Sequence, residues 1–216
     1  MARLEWDKVG KRTYETGTDH GVLYVAVNGE YPKGVAWNGL TGVDENPSGA
    51  EASAQYADNI KYLELRSNEE FGATITAFTY PDEFEECDGS AEPVPGMFIG
   101  QQKRKVFGMT YRTKLGNDTD GDEHGYILHL VYGGTASPSQ RSYRTVNDSP
   151  EPIEFSWEVS TTPVQIKDYK PVSHVRINST KADETKLKAL EDILYGTDEL
   201  EPRLPLPDEV KTLLTA

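Results

Sequence analysis

Residues 153–160 constrain the fold of this chain more than any other segment, because they alternate strictly between apolar and polar side chains. One set of alternate positions is apolar and the other is polar: Ile153, Phe155, Trp157 and Val159 against Glu154, Ser156, Glu158 and Ser160. A period of two residues is typical of a β-strand with one face in a core and the other in water. The segment therefore predicts a half-buried strand whose outer face is small, polar and acidic.

Several other runs predict that this strand belongs to an antiparallel β protein. Strands are predicted at residues 22–27, 33–37, 105–115, 126–132 and 172–178. Asn28 and Gly29 supply turn chemistry between the first two, and the polar residues 117–123 interrupt the third and fourth. Residues 126–132 are apolar on both faces, as a central strand would be.

Near the end of the chain the apolar period changes from that of a strand to that of a helix. Leu187, Leu190, Ile193 and Leu194 recur at helical spacing, Asp183 can cap the start, and Gly196 stands where a C-terminal cap is expected. The predicted fold class is mainly β (α+β): an antiparallel β-sandwich or rolled sheet with one flanking C-terminal helix at about 182–195 and long loops.

The length of 216 residues predicts a single domain. An N-terminal arm is expected at about 1–20. The Gly-, Ser- and Ala-containing residues 39–58 are expected to form a long loop, and loops of that length are generally functional or ordered by a partner. Residues 82–102 form a second irregular stretch. The C-terminal tail at about 197–216 is punctuated by prolines, and either docking on a neighbouring molecule or fraying would suit it.

The charge of the chain argues against nucleic-acid binding. Thirty-six acidic residues against 22 basic ones give a formal charge of −14, whereas a nucleic-acid-binding face must be cationic. Cys87 is the single cysteine of the chain, so it cannot form an internal disulfide. It lies among acidic residues that would raise the pKa of its thiol, so it is unsuited to catalysis. The sequence has neither a signal-peptide core at its N-terminus nor a run long enough to span a membrane.

Sequence motifs for catalysis, phosphate binding and dinucleotide binding are absent. The acidic loop 118–123 does not fit the helix-loop-helix calcium pattern, because Glu123 and His129 would occupy its glycine and closing-ligand positions, so it predicts a hairpin turn. The histidines, His20, His124, His129 and His174, show no ligand spacing along the chain. We therefore expect no enzyme activity, no cofactor and no metal.

Residues 56–84 hold two strand-like runs around residues 60–65 and 73–77, with Ser67, Asn68 and Glu69 as the turn between them, and this pattern predicts a β-hairpin. Two short groups flank the runs: Tyr56, Ala57, Asp58 and Asn59 before them, and Pro81, Asp82, Glu83 and Phe84 after them. With these groups, the chain resembles the major tail proteins of long-tailed bacteriophages and related prophages, most closely over residues 35–84 and more weakly to the C-terminal helix.

That resemblance implies a structural subunit of the virion tail, assembled in the cytoplasm of the host bacterium. Hexameric rings would stack into a tube that conducts double-stranded DNA without binding it specifically. The implied partners are other copies of the chain and the tape-measure, tail-tip and tail-terminator proteins, with no membrane. The family offers no catalytic residues to carry over to this sequence.

Glu154 and Glu158 are the candidates for the channel lining, with an ordinary solvent-exposed face as the competing interpretation. A carbohydrate-binding β-sandwich is the alternative function, because twelve tyrosines and three tryptophans could form a stacking platform.

Overall fold

The computed structural model describes residues 3–146, 148 and 151–215. Strands account for 46% of it and helices for 11%, and the sheets are antiparallel, which confirms the predicted mainly β class. The strands of the described residues are β1 (Thr13–Val25), β2 (Gly34–Ala36), β3 (Leu40–Glu45), β4 (Ser48–Gly49), β5 (Ala52–Ala57), β6 (Ile60–Arg66), β7 (Glu69–Glu70), β8 (Gly72–Ala77), β9 (Ala91–Val94), β10 (Met97–Ile99), β11 (Phe107–Asn117), β12 (Gly121–Ala136), β13 (Phe155–Thr161) and β14 (His174–Asn178). The helices are α1 (Glu184–Tyr195) and α2 (Pro207–Thr215), with a one-turn 3-10 helix at Asp82–Phe84.

Eight of these strands form one sheet in the order β2-β1-β11-β12-β13-β8-β3, and β14 pairs with the first part of β12. Strand β12 pairs with β14 as far as Val131 and with β13 from Gly134 onward. Between them, Gly133 has a positive φ of 65°, and a Cβ there would clash with the carbonyl oxygen of Thr162. Glycine at this position lets β12 bend, so the sheet changes direction and rolls over.

The inside of the roll is filled by an apolar core that both halves of the sheet supply. One half contributes Leu23, Phe107 and Met109, and the other contributes Ile75, Trp157 and Val159. The far strand β3 comes back to β1, where a Cβ on Gly21 would lie 2.9 Å from Cδ2 of Leu40. This packing of one half of the sheet on the other is the sandwich-like arrangement that the alternating segments predict.

The two helices of the described residues cover the outer face of one half of the sheet. Leu187, Leu190 and Leu194 of α1 pack on outward-facing side chains of β1, β12 and β14, among them Tyr24 and Leu130. Asp183 caps α1 by accepting a hydrogen bond from the amide of Lys186 at 3.1 Å, as the sequence predicts. The outer face of β13, β8 and β3 has no helix among the described residues packed on it.

Most of the predicted strands are confirmed. The turn at Asn28 joins β1 to β2, with Val22 opposite Ala36, and the predicted turn at 117–123 joins β11 to β12. In β13, Trp157 and Val159 are buried while Ser156 and Glu158 are exposed, so the predicted alternation is confirmed for residues 155–160. The first two residues of the predicted strand lie outside it, and Ile153 is exposed. Part of the predicted strand at residues 172–178 is β14.

The expected N-terminal arm at 1–20 is too long, because β1 begins at Thr13 and pairs with β11 from there. The first residues of β1 are exposed on both faces, so they carry no apolar alternation that would have predicted a strand.

The C-terminal tail also differs from the expectation, because it packs on its own chain. The amide of Leu204 donates to the carbonyl oxygen of Tyr31 at 3.1 Å, and the hydroxyl of Tyr132 donates to the carbonyl oxygen of Pro205 at 2.9 Å. A second helix, α2, follows, and its Val210 is buried in the core between the helices and the sheet. The apolar residues of the tail therefore complete the core beneath α1.

The prediction of a loop at residues 39–58 is wrong, because the segment contains strands. The hairpin predicted after it is also wrong, because its two strands do not pair with each other. Residues 39–58 contain β3, β4 and β5, and β3 is paired with β8 in the main sheet. Strand β6 pairs with β5 instead of β8, and β8 lies between β3 and β13. The turn chemistry at Ser67, Asn68 and Glu69 therefore does not join β6 to β8 directly; Glu69 and Glu70 form β7, which pairs with β4.

Candidate assembly surfaces and a histidine–glutamate cluster

Strands β5 and β6 form a two-stranded hairpin, residues 52–66, which we call the hairpin arm. Every residue of β6 is exposed, and among the described residues no third strand pairs with the arm. Its large apolar side chains are bare: Tyr56 is 71% exposed, Ile60 64%, Tyr62 70% and Leu65 57%. An isolated two-stranded hairpin is marginally stable in water, and contiguous exposed apolar surface usually marks an interaction site.

The hairpin arm ends in the YADN group that carries part of the family resemblance. Asp58 and Asn59 are the two turn residues, with φ angles of 50° and 63°, and Ala57 pairs with Ile60 across them. Positive φ at both central residues is the type I′ geometry that suits a two-residue hairpin, and Asp and Asn tolerate it. The group therefore lies at the tip of the arm, with Tyr56 beside it, instead of preceding a strand of the main sheet.

The second resemblance group lies in the core. Pro81 precedes the 3-10 turn that begins at Asp82, and Phe84 is fully buried. The Phe84 ring lies 4.7 Å from that of Trp37 and 5.1 Å from that of Trp157, measured between centroids. Phe84 therefore anchors this group in the core, whereas Asp82 of the same group is exposed.

Two further segments expose apolar side chains. The N-terminal residues 3–12 carry Leu4, Trp6 and Val9, each more than 70% exposed. The hairpin of β9 and β10 exposes Val94, Met97, Phe98 and Ile99. Together with the hairpin arm, they place bare apolar surface on three separate projections.

Glu154 and Glu158 both lie on the uncovered half of the sheet. Glu158 stands in a row with Thr74 and Asp44 across β13, β8 and β3. Glu154 accepts a hydrogen bond of 2.6 Å from the hydroxyl of Thr41, which is itself 3.0 Å from the hydroxyl of Thr76. The structure thus brings the two glutamates together with a third acid, Asp44, on one surface. We call this surface the acidic sheet face: Asp44, Thr74, Thr76, Glu154, Ser156 and Glu158.

The acidic sheet face has no cation of its own. The three strands read LTGVDE, GATITA and FSWEVST, so they hold neither Lys nor Arg. Small hydroxyl side chains separate the acids, and among the described residues none of Asp44, Glu154 and Glu158 forms an ion pair.

A cluster of two histidines and a glutamate lies at one end of the roll. Nδ1 of His129 is 3.1 Å from Nε2 of His174 and 3.3 Å from Oε1 of Glu45, and the same oxygen is 3.7 Å from Nε2 of His174. The side chains come from β12, β14 and β3. Sequence reasoning missed this group because its members are far apart in the chain and Glu45 lies in a segment expected to be a loop.

The surroundings of the cluster hold its rings in place. The Tyr111 ring stacks on His129 at 4.4 Å, and its hydroxyl donates to Oε1 of Glu45 at 2.9 Å. Burial lowers the pKa of both His129 and His174, which keeps the imidazoles neutral near pH 7. Glu45 and His174 open into a cleft of about 400 Å³.

Cys87 is buried without a disulfide, and burial, with a smaller contribution from Glu86, raises the pKa of its thiol to about 12.

The acidic loop at 118–120 forms the tip of the β11–β12 hairpin, where the side-chain oxygen of Asn117 accepts from the amide of Thr119 at 3.0 Å. Two of the three tryptophans, Trp37 and Trp157, are core residues, so the surface offers less aromatic area for sugar stacking than the composition suggests.

Comparison with known protein families and with curated proteins finds no match to this chain. Neither helix of the described residues has the length and apolar character that a membrane crossing requires.

Proposed function

We propose that this protein is a structural subunit of a phage tail tube, in which hexameric rings stack around a channel for double-stranded DNA. It acts by assembly and turns over no substrate. The tape-measure, tail-tip and tail-terminator proteins are its partners beyond other copies of itself, and the virion tail is its location.

The hairpin arm is the observation that carries the proposal. Tyr56, Ile60, Tyr62 and Leu65 would stay in contact with water in a lone subunit, at an unfavourable free energy of about 25 cal/mol for each Å² of apolar surface. A neighbouring copy that covers the arm removes this cost and pairs its free strand edges. The two other apolar projections offer additional contacts between subunits, as stacking of rings requires.

The division of the sheet into a covered and an uncovered half supports a tube wall. Helices α1 and α2 shield one half, whereas the acidic sheet face of the other half is flat, hydroxyl-rich and negatively charged. A surface of this kind repels phosphates and so lets DNA pass, because gripping the duplex would need cations that displace its counterions. We therefore assign the acidic sheet face, with Glu154 and Glu158, to the channel.

Assembly of the purified full chain tests the proposal. Negative-stain microscopy should show rings or tubes, and sedimentation should show species much larger than one chain. Tyr62→Ser should reduce assembly strongly while leaving the melting temperature of the subunit nearly unchanged, because Tyr62 touches water and not the core.

Tyr169→Ser is the matched control, since Tyr169 is 68% exposed but lies outside the three apolar projections. It should assemble like the unmodified chain. A monodisperse monomer at all concentrations, or equal loss of assembly in both variants, would contradict the proposal.

A further inference from the structure

The three ligand atoms of the histidine–glutamate cluster have the spacing of a metal site. Zn²⁺ binds imidazole nitrogen and carboxylate oxygen at about 2.0–2.1 Å, so two ligands of a tetrahedral ion stand about 3.3–3.4 Å apart. The corresponding separations here are 3.1, 3.3 and 3.7 Å. An ion can therefore sit among Glu45, His129 and His174 with little movement of the side chains.

The hydrogen bonds around His129 are compatible with a lone pair on Nδ1. The hydroxyl of Thr113 lies 3.2 Å from the carboxylate of Glu15, to which it can donate, and 3.1 Å from Nε2 of His129, from which it can accept. In the tautomer with its proton on Nε2, Nδ1 of His129 turns a lone pair toward Glu45 and His174, and a cation there would be stabilised by all three groups. In the other tautomer Nδ1 donates to one of these two neighbours, so metal binding would move the proton to Nε2.

A second feature of the site points to a ligand in the cleft beside it. The cleft is lined in part by Glu45, Glu69, Phe71, Ser173, His174 and Arg176. Ser173 is only 5% exposed, and its hydroxyl has no hydrogen-bond partner among the described residues. Buried hydroxyls are rarely left unpaired, so a bound species or its water would satisfy this one.

We propose that Glu45, His129 and His174 bind a divalent first-row transition-metal ion, with Zn²⁺ as the ion that fits best, and that its fourth position opens into the cleft. Two imidazoles and one carboxylate form a ligand set that suits Zn²⁺, whereas Mg²⁺ and Ca²⁺ prefer oxygen ligands alone. The hydroxyl of Tyr111 donates to Oε1 of Glu45, the oxygen that faces both imidazoles, and so orients the carboxylate, as residues next to metal ligands commonly do. Arg176, which also lines the cleft, opposes a cation there, and the carboxylate of Glu45 offsets its charge.

The ion would connect β3, at the far edge of the rolled sheet, to β12 and β14. Strand β4, which follows β3, pairs with β7 at the base of the hairpin arm. Metal binding would therefore fix the base from which the arm projects. This site does not depend on assembly and can be tested on a single subunit.

The test uses the full chain without a histidine tag, stripped with a chelator and then titrated with Zn²⁺ and with Co²⁺. We expect one Zn²⁺ per chain by calorimetry, a raised melting temperature, and the intense visible absorption of Co²⁺ in a tetrahedral site. Glu45→Gln and His174→Gln should lose all three signals. Tyr111→Phe, which removes only the supporting hydroxyl, should weaken binding by about 10- to 100-fold.

Glu69→Gln is the matched control, because Glu69 lines the same cleft without belonging to the ligand set, and it should bind like the unmodified chain. Glu45→Gln keeps the shape of the side chain and can still accept from Tyr111, so its fold should persist, and its metal-free melting temperature checks this. Zn²⁺ binding by Glu45→Gln as tight as that of the unmodified chain, or no binding by the unmodified chain, would overturn the proposal.

Discussion

Among the single residues that the structure describes, Phe84 and Trp157 lie at the centre of the aromatic contacts of the core. Phe84 lies against Trp37 and Trp157, and its ring centroid is 5.5 Å from that of Phe107. Phe84→Ala would leave a cavity in the inner core, and we expect it to lower the free energy of unfolding by about 3–5 kcal/mol. Urea denaturation followed by tryptophan fluorescence measures this directly, since two tryptophans line the cavity.

Phe78→Ala is the control at this scale, because Phe78 is 48% exposed and precedes the same turn. Its effect should stay within about 0.5 kcal/mol, as for other surface substitutions. Equal effects of the two variants would mean that Phe84 is not the anchor that its burial indicates.

Residues that form a metal site can be predicted from a sequence only when they follow a regular spacing along the chain. Glu45, His129 and His174 come from three strands, and only the roll of the sheet brings them within 4.8 Å of one another. No local pattern marks them, because each strand supplies a single ligand. By contrast, Glu154 and Glu158 could be assigned to one outward face from the sequence, since both lie on the same alternating segment.

At the scale of elements, the hairpin arm and β3 should differ sharply in stability although they are neighbours in the chain. Strand β3 is hydrogen-bonded to β8 in the main sheet, whereas β5 and β6 pair only with each other among the described strands. In the isolated subunit, hydrogen exchange should be slow for β3 and fast for the arm. Assembly should then protect the arm. Equal protection of the arm in both states would show that it does not join an interface.

The elements that the sequence predicted well have one face in a core. Strand β13 alternates because water and core impose opposite demands on successive side chains, whereas β12 is buried on both faces over residues 128–134 and reads as a near-continuous apolar run. The start of β1 and the strand β5 face water on both sides, so nothing in their apolar pattern distinguishes them from loops. The turn residues at 67–69 favour a hairpin of β6 with β8, but the two-residue turn at Asp58 and Asn59 pairs β6 with β5 instead.

At the scale of the whole molecule, the net charge of the chain opposes assembly, whereas its exposed apolar surface favours it. Each chain carries −14, so subunits must approach one another against a net repulsion. In the proposed tube, apolar contacts of the hairpin arm would supply the attraction, and such contacts weaken little with salt. The acidic sheet face adds a local repulsion that a closed ring would concentrate, because every copy would turn the same acids toward one axis.

Assembly should therefore increase with ionic strength. Charges interact over about 30 Å at 0.01 M salt but over only about 8 Å at 0.15 M, so added salt removes repulsion before it affects apolar contacts. Glu154→Gln with Glu158→Gln should lower the salt concentration at which tubes pellet. Glu199→Gln with Glu201→Gln, the same change in net charge at exposed positions near the end of α1, should lower it less. If both pairs lower it equally, the charge acts through its total alone and the acidic sheet face does not line a channel.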